Sequence, residues 1–226
     1  MCGIYGFTTK FPDIEKAEIL KHMGQALRHR GPDQSGNYLD DNVAMGIERL
    51  SILDVEKGRQ PIYSNNGRCV IVHNGEVYNY REIRDKLKKM GYHFQTNTDT
   101  EVIVNLYQHK GLDCLSDLNG MFAFAIMDPI RKQLYLARDH FGKKPLYFFF
   151  QDGIFIFGSE IKAILQSPVV HDVIEIDDRA LVDYMSIGYI LTPKTIFQQI
   201  KQLQPASYAI IDCLQKTFTE KKYPYK

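Results

Sequence analysis

The stretch MFAFAIMDPIRKQLYLA, residues 121–137, carries the pattern that indicates the fold class. Phe122, Phe124 and Ile126 occupy alternate positions with alanines between them, a period of two that is typical of a β-strand. A polar turn at residues 128–132 follows, and the chain then becomes apolar again. Two strands joined by so short a turn pair antiparallel, so the stretch predicts a β-hairpin.

Further strands are predicted on both sides of this hairpin. Downstream, Asp152-Gly153 is a strong signal for a second hairpin because the runs that flank it are apolar. Upstream, three more short apolar runs are bounded by turn residues, as strands usually are. The runs outside the first hairpin are residues 2–8, 43–48, 68–73, 146–150 and 154–157.

Three helices are predicted between these strands from apolar residues at helical spacing. The first begins near Asp13 and must end before Gly31-Pro32, and the second ends near Gly91. The third begins at Thr98, which fits a capping box with Glu101. Hairpins and helices in this order predict an α+β fold, in which helices are layered on mostly antiparallel sheets.

Length and composition predict a soluble, cytoplasmic protein without a linker between domains. The 226 residues include 28 Lys+Arg and 27 Asp+Glu, a formal net charge of +1, so no basic field is available to bind nucleic acid or an acidic membrane. No apolar run is long enough to span a membrane. The four cysteines show no CxxC spacing and the histidines no ligand spacing, so we expect neither a disulfide framework nor a metal site.

Met1-Cys2 is the first candidate for chemistry. Removal of Met1 would leave a cysteine whose thiol and free α-amine belong to one residue. A thiol needs a base to become a nucleophilic thiolate, and an N-terminal amine titrates near pH ~7.7–8.0, close enough to neutrality to be that base. With Met1 attached the amine is an amide, so we expect that form to be inactive. The dipeptide alone is a weak signal, since many proteins begin with it by chance.

Arg49 and Asp99 each have two interpretations. Arg49 ends a predicted strand, where its guanidinium could hold a substrate carboxylate in a bidentate fork or form an internal ion pair with Glu48 or another acid. Asp99 lies in the first turn of the third predicted helix, where it stabilises the helix dipole or accepts hydrogen bonds from an α-amino group. The local sequence leaves both questions open.

Asn74-Gly75 is most often a turn. An asparagine amide and the N–H of an adjacent glycine are also the two donors that stabilise an oxyanion when a thiol attacks a carbonyl, and glycine lets the backbone come close. The next residue, Glu76, could accept hydrogen bonds from a substrate ammonium group. Together, these candidates are what an enzyme needs to attack the side-chain amide of a free amino acid. Spacing alone does not show that they converge.

Seven motifs that contain these candidates occur in order: CGIYG from Cys2, RHRGPD from Arg28, ERLSI from Glu48, NGEVYN from Asn74, TDTE from Thr98, NGMFAF from Asn119 and RDHFGKKPLY from Arg138. In this order they resemble the N-terminal glutamine amidotransferase domain, of class II and the N-terminal-nucleophile type, of the glutamine-hydrolysing asparagine synthetases. The resemblance extends from Cys2 to about Asp212. Any one motif is common, whereas seven in order are highly specific.

The resemblance implies the four-layer αββα sandwich of the N-terminal-nucleophile hydrolases. It also implies that the Cys2 thiol attacks the side-chain carbonyl of L-glutamine, forms a γ-glutamyl thioester and releases ammonia, after which water yields glutamate. By position, Arg49 matches the clamp for the glutamine carboxylate. The other matches are Asn74 and Gly75 for the oxyanion hole, Glu76 and Asp99 for the substrate amino group, and Leu50 and Ile52 for the wall of the glutamine pocket.

The resemblance also sets expectations about domains and partners. Residues 2–212 match the amidotransferase domain, and residues 213–226 are expected to be a polar stub that leads toward an absent ATP-pyrophosphatase domain, with no helix or strand at residues 221–226. ATP and Mg are expected only in that synthetase domain, so we expect no cofactor in this chain. The implied partners are L-glutamine and a synthetase domain, in cis or as a separate subunit, that makes asparagine from aspartate. A second copy of this chain, in a homodimer, is a further partner that we consider.

Two alternatives stay open at this point. The ammonia could serve another acceptor, as in an asparagine-synthetase-like enzyme that acts on a surface-polysaccharide precursor. The chain could instead be a non-catalytic module that retains the fold for binding or regulation. All the matching site residues are intact, which argues against the second alternative.

Overall fold

The computed structural model describes residues 1–8 and 13–224, with side chains for residues 1–8 and 15–224. They form two six-stranded antiparallel sheets that pack face to face, with helices on both outer faces. The predicted α+β fold and four-layer αββα sandwich are confirmed. In chain order the elements are β1 (Gly3–Thr8), α1 (Asp13–Leu27), β2 (Gln34–Leu39), β3 (Val43–Arg49), β4 (Ile62–Tyr63), β5 (Val70–Val77), α2 (Tyr80–Lys89), α3 (Asp99–Lys110), β6 (Gly120–Asp128), β7 (Gln133–Arg138), β8 (Tyr147–Gln151), β9 (Ile154–Gly158), α4 (Ile161–Ile164), α5 (Pro168–His171), α6 (Asp178–Ile187), β10 (Ile200–Gln202), β11 (Ser207–Asp212) and β12 (Thr217–Lys222).

Three apolar clusters hold the four layers together. The strand order is β10-β8-β9-β1-β3-β2 in the first sheet and β12-β11-β7-β6-β5-β4 in the second. Side chains such as Met45 and Val72 fill the space between the sheets. Helix α1 buries Leu20 against the first sheet, and α3 buries Val102 against the second. Both sheets are therefore buried on two faces in their central strands.

The hairpin predicted at residues 121–137 is β6 and β7, which pair antiparallel with Ala125 opposite Leu136. The large residues on one face of β6, such as Phe124, pack with α2 and α3 in the outer cluster. Ala123 and Ala125, on the other face, pack between the two sheets. Because alanine is small, it lets the two sheets approach closely at this central strand.

Strand β5 is longer than the run predicted at residues 68–73. It extends to Val77 and pairs with β6 along its whole length, with Asn74 opposite Ala123 and Gly75 opposite Phe122. The interpretation of Asn74-Gly75 as a turn is therefore wrong. The pairing of β5 with β6 on both sides of this dipeptide is a long-range interaction that overrides the local turn preference.

The C-terminal segment also differs from its prediction. Residues 217–222 form β12, which pairs antiparallel with β11, so the described part of the expected stub at 213–226 belongs to the second sheet. Tyr223 is buried in the outer cluster, and its hydroxyl donates to the carbonyl of Arg138 at 2.7 Å. The polar side chains of β12 misled the prediction because an edge strand needs few apolar residues. Tyr225 and Lys226 lie outside the described residues.

Several short elements have no clear signal in the sequence, among them β2, β4, β10 and helices α4 to α6. They are short, and most of their strands lie at sheet edges, so the hydrophobic period that identifies longer elements is weak in them. Within residues 1–8 and 13–224, no helix is long and apolar enough to cross a membrane.

Candidate active site

One pocket contains all eight candidate residues. It has a volume of about 190 Å³ and lies where the N-terminus, the end of β3, the second half of β5 and the start of α3 meet. These elements belong to both sheets and one helix layer, so the four-layer fold creates a convergence that spacing alone could not show. The candidates that line the pocket are Cys2, Arg49, Leu50, Ile52, Asn74, Gly75, Glu76 and Asp99.

Cys2 directly precedes β1, an inner strand of the first sheet, and its backbone carbonyl is anchored by Arg30. Arg30 donates from Nε to the Cys2 carbonyl at 2.9 Å, and its Nη1 pairs with Glu160 at 2.8 Å. The Cys2 thiol donates to the Leu50 carbonyl, with Sγ and O 3.7 Å apart. The thiol therefore lies next to Leu50, the first residue of the segment that follows β3.

The Cys2 thiol is protonated at neutral pH in the chain that retains Met1. Burial raises the pKa of the thiol above its ordinary value of 9.0, and the positive charges of the N-terminus, Arg49 and Lys144 oppose that rise without cancelling it. Formation of the thiolate requires a base close to the sulfur. While Met1 is attached, the nitrogen of Cys2 is an amide and cannot be that base.

Asn74 contributes an amide donor to the pocket, and Gly75 contributes backbone that a ligand can approach closely. The Asn74 Nδ2 group is buried and has no hydrogen-bond partner among the described residues. Gly75 has a φ of +156°, and a Cβ at this position would lie 2.1 Å from the carbonyl oxygen of Met121. Only glycine fits here. A buried donor without a partner costs about 1–3 kcal/mol, so a ligand oxygen that accepts from Asn74 would recover that cost.

Arg49 does not pair with Glu48. Glu48 pairs with Arg28 at 2.9 Å, whereas the Arg49 guanidinium donates from Nη1 to Gln34 Oε1 and from Nη2 to the Leu53 carbonyl, both at 2.7 Å. The Glu48 interpretation is therefore wrong. Burial lowers the pKa of Arg49, and the negative charges of Asp54, Asp33 and Asp99 oppose this fall. In the described part of the chain, the hydrogen-bond partners of the Arg49 guanidinium are neutral groups, so its positive charge is available to a bound anion.

Asp99 stabilises the start of α3 and also lines the pocket. Its Oδ2 accepts from the backbone N–H of Val77 and its Oδ1 from that of Thr100, both at 2.9 Å. Thr98 caps the helix by accepting from the Glu101 N–H at 3.3 Å. The reciprocal half of the predicted capping box is not formed, because the Glu101 carboxylate bonds to residues 95 and 96 instead. The carboxylate of Asp99 is therefore held rigidly at the pocket wall.

The other three substrate-side candidates sit differently. Leu50 is partly buried and contacts the Cys2 thiol through its carbonyl, whereas the Ile52 side chain is 62% exposed although it lines the pocket. Glu76 is partly buried on β5. Because Glu76 lies beside Gly75 on a paired strand, its backbone is fixed, whereas its side chain faces the open volume of the pocket.

Three pocket residues were missed by the sequence analysis as site residues. Gln60 anchors β5, because its side-chain oxygen accepts from the His73 N–H at 2.7 Å. The ring atom His73 Nδ1 lies 3.0 Å from Thr100 Oγ1. Burial lowers the pKa of His73, so its ring is neutral. Lys144 is buried in the pocket wall. Only Lys144 had a signal, since it lies in the motif that starts at Arg138.

The arrangement combines a thiol with donors and charges suited to a zwitterionic amide. A bound amino acid would find one cation for its carboxylate, two carboxylates for its ammonium group and donors for an oxyanion near the thiol. Within residues 1–8 and 13–224, no group of three or more His, Cys, Asp or Glu side chains is placed to hold a metal ion.

The chain matches the family described as glutamine amidotransferase domain over residues 1–224. It is 42% identical over 210 residues to glutamine-hydrolyzing asparagine synthetase 1 of Bacillus subtilis, a match that covers 92% of this chain and 33% of that protein. It is 36% identical to putative glutamine-hydrolyzing asparagine synthetase 2 of Methanocaldococcus jannaschii, covering 99% of this chain and 46% of that protein. The chain thus spans a third to a half of the length of these curated relatives.

Solved structures share the architecture. The glutamine phosphoribosylpyrophosphate amidotransferase of Bacillus subtilis, complexed with ADP and GMP, superposes with a TM-score of 0.71 at 20% identity. The match covers 100% of this chain and 50% of that chain. At this identity the likeness establishes the fold, and it agrees with the four layers described above.

Proposed function

This chain belongs to the glutamine amidotransferase domain family, and from that premise we propose that it hydrolyses the side-chain amide of L-glutamine to glutamate and ammonia at Cys2. One observation carries the proposal. The buried Asn74 Nδ2 group, which has no partner in the described part of the chain, shares a pocket with the Cys2 thiol. A donor left unpaired next to a nucleophile suits a reaction that creates an oxyanion.

The reaction proceeds through a covalent intermediate. The Cys2 thiol loses its proton to a base, and Sγ attacks the amide carbon while the carbonyl oxygen takes up the π-electron pair. Asn74 Nδ2 and the Gly75 N–H donate to this oxyanion. The C–N bond then breaks, the protonated nitrogen leaves as ammonia and a thioester remains. Water adds to the thioester, and the C–S bond breaks to release glutamate and the thiol.

The proposed base is the α-amine of Cys2 after Met1 has been removed. It belongs to the same residue as the nucleophile, and its usual pKa of ~7.7–8.0 lets it accept the thiol proton near neutrality. The raised pKa of the thiol in the Met1 form supports this requirement, since burial keeps that thiol protonated. Removal of Met1 would therefore switch the site on.

Charge pairing would orient the substrate. Arg49 lines the same pocket as Glu76 and Asp99, so a zwitterionic amino acid can place its carboxylate at Arg49 and its ammonium group at the two carboxylates. Leu50 and Ile52 would contact the aliphatic part of the side chain. We assign Arg49 as the carboxylate clamp, and Glu76 and Asp99 as the acceptors for the amino group.

Glutamate release tests the proposal. The chain, with Met1 removed and the new N-terminus verified by mass spectrometry, is incubated with L-glutamine beside Cys2→Ala and Cys2→Ser variants. We expect release in the parent chain and background rates in both variants. Folded parent protein with a verified free Cys2 but no release would contradict the proposal and favour a non-catalytic binding module.

The destination of the ammonia is a further part of the proposal. The named relatives are glutamine-hydrolyzing asparagine synthetases of which this chain matches less than half, so we propose that a synthetase portion, in cis or as a separate subunit, uses the ammonia to convert aspartate to asparagine. ATP and Mg would bind there, and this chain would need no cofactor. We place the enzyme in the cytoplasm, where reducing conditions preserve the Cys2 thiol.

A further inference from the structure

Lys144 is a buried cation that the proposed reaction has not yet used. Its residue is 6% exposed, and its side chain lines the same pocket as Cys2 and Glu76. The Nζ group lies 3.3 Å from the thioether sulfur of Met1, which is a weak acceptor and carries no charge. Within the described parts of the chain, Lys144 forms no ion pair. Buried lysines are usually paired, so this one requires an explanation.

The loop that carries Lys144 is rigid. The Lys144 N–H donates to Asp139 Oδ2 at 3.0 Å, and its carbonyl accepts from Arg138 Nε at 2.8 Å. Asp139 is fully buried, and its carboxylate also accepts backbone N–H groups from Phe122, Phe141 and Lys143. The bond to Phe122 ties the loop to β6, the strand opposite Gly75. The backbone that carries the Lys144 side chain is therefore held beside the pocket by the second sheet.

The charges that face Cys2 show what Lys144 does there. The pocket lining contains two cations, Arg49 and Lys144, and two carboxylates, Glu76 and Asp99. Arg30, bonded to the Cys2 carbonyl, is neutralised by Glu160, and burial keeps the nearby His73 ring neutral. A zwitterionic substrate adds no net charge. Besides the Cys2 α-ammonium group that forms when the thiol proton moves to the base, a thiolate or an oxyanion would, without Lys144, be surrounded by two carboxylates and one cation, which is less favourable.

We propose that Lys144 is a positioning residue of this site, whose fixed ammonium group favours negative charge on Cys2 Sγ and then on the oxyanion of the tetrahedral intermediate. It acts through Cys2 and accepts no proton. The charge develops in two steps: the thiol proton moves to the base, and the amide carbonyl oxygen takes up an electron pair as the S–C bond forms. The second step rests on the proposed function, whereas the first does not. The positive charges of Lys144 and Arg49 both act to lower the pKa of the Cys2 thiol, as this role requires.

Alkylation of Cys2 as a function of pH tests the proposal without requiring turnover. Each variant is prepared with the same verified N-terminus, treated with iodoacetamide across a pH series, and scored for carbamidomethyl-Cys2 by peptide mass spectrometry. The variants are Lys144→Met, Lys144→Gln and Lys144→Arg. Lys143→Met is the matched control, because it removes one positive charge from the adjacent, exposed residue. Cys213, which is partly buried and has a pKa raised to about 12, is the internal reference thiol.

We expect the two neutral variants to raise the pH midpoint of Cys2 alkylation by about 0.5–1 pH unit, as loss of a nearby opposite charge does. Lys144→Arg and Lys143→Met should keep the parent midpoint. With glutamine, the neutral variants should lose about three- to tenfold in kcat with little change in KM, because a unit of pKa corresponds to a factor of ten. Lys144→Arg should restore kcat.

An unchanged Cys2 midpoint in a folded neutral variant would overturn the proposal, as would an equal rise in Lys143→Met. Lys144→Gln decides the question if Lys144→Met does not fold, since its side chain is shorter and polar. Absence of glutamate release in every protein, the parent included, would contradict the proposed function. The alkylation midpoints would still decide the role of Lys144 in that case.

Discussion

One wall of the pocket is a strand and the opposite wall is a loop, and they are held by different kinds of hydrogen bond. The strand wall, residues 74–76 together with Asp99, is fixed by pairing of β5 with β6 and by backbone N–H groups that bond to Asp99. The loop wall, residues 49–58, is fixed by side chains: Arg49 bonds to the carbonyls of Leu53 and Asp54, and Asp54 accepts from the Asn97 N–H.

This difference separates two tasks. The residues proposed to act on the reacting carbonyl, Asn74 and Gly75, lie on the strand wall, where regular pairing limits motion. The residue proposed to bind the substrate carboxylate, Arg49, holds the loop wall together through its own bonds. Changes at Asn74 or Gly75 should therefore affect stability or kcat, and changes on the loop wall should affect KM.

The largest effect should come from Gly75→Ala on the strand wall. A Cβ there would lie 2.1 Å from the Met121 carbonyl oxygen at a φ that disfavours alanine. Because both overpacking and backbone strain act, we expect a loss of about 2–5 kcal/mol in the free energy of unfolding, measured by urea denaturation. Gly67→Ala is the matched control: its φ is +70° but nothing lies within 4 Å. Equal losses in both variants would remove the steric argument.

The next effect should come from Asn74→Ala, and it should separate activity from stability. Loss of one oxyanion donor should lower kcat by about 10²–10³ with KM nearly unchanged. The free energy of unfolding should stay constant or rise, because the variant removes a buried Nδ2 group that has no partner in the described residues. Steady-state kinetics and urea denaturation measure the two quantities. A large loss of stability would show that Asn74 has a structural role instead.

The strand wall also shows how far sequence reasoning extends. Alternation at residues 121–127 was enough to predict β6 and its two faces, because period and burial agree there. Asn74-Gly75 remained ambiguous because a local turn preference competes with pairing to β6, a contact 49 residues away for Asn74 and Ala123. Edge strand β12 was missed since it buries few residues. Local patterns predict elements well where tertiary contacts do not override them.

Site prediction had a different limit. The residue types and motif order indicated which side chains carry chemistry, but their convergence depends on two sheets packing face to face. Arg49 shows the remaining gap: its neighbour Glu48 was a reasonable partner by sequence, yet adjacent residues of a strand face opposite sides. Lys144 was visible in a motif but had no evident role, because its loop reaches the pocket only through the bonds of Asp139.

On the loop wall, Arg49→Lys should weaken binding more than it slows chemistry. A lysine retains the charge but loses the planar fork and the bonds to Gln34 and the Leu53 carbonyl. We expect KM for L-glutamine to rise about 10- to 100-fold, equivalent to about 1.4–2.8 kcal/mol, with a smaller change in kcat.

A decarboxylated substrate analogue, 4-aminobutanamide, is the control for the Arg49 prediction. The parent enzyme should have a much higher kcat/KM for L-glutamine than for the analogue. Arg49→Lys should reduce the ratio of the two values, because the analogue has no carboxylate for residue 49 to bind. An unchanged preference between the two substrates would show that another group binds the carboxylate.

The smallest effect should come from Ile52→Ala, also on the loop wall. Ile52 is 62% exposed, so its truncation should change the free energy of unfolding by less than about 0.5 kcal/mol. A partial contact with the substrate chain should raise KM by about two- to fivefold, below the tenfold or more of a fully buried contact. Val55→Ala is the matched control, since Val55 is 56% exposed in the same loop but does not line the pocket. Identical KM values in both variants would remove Ile52 from the glutamine pocket and leave Arg49 and Leu50 as the proposed substrate contacts of that wall.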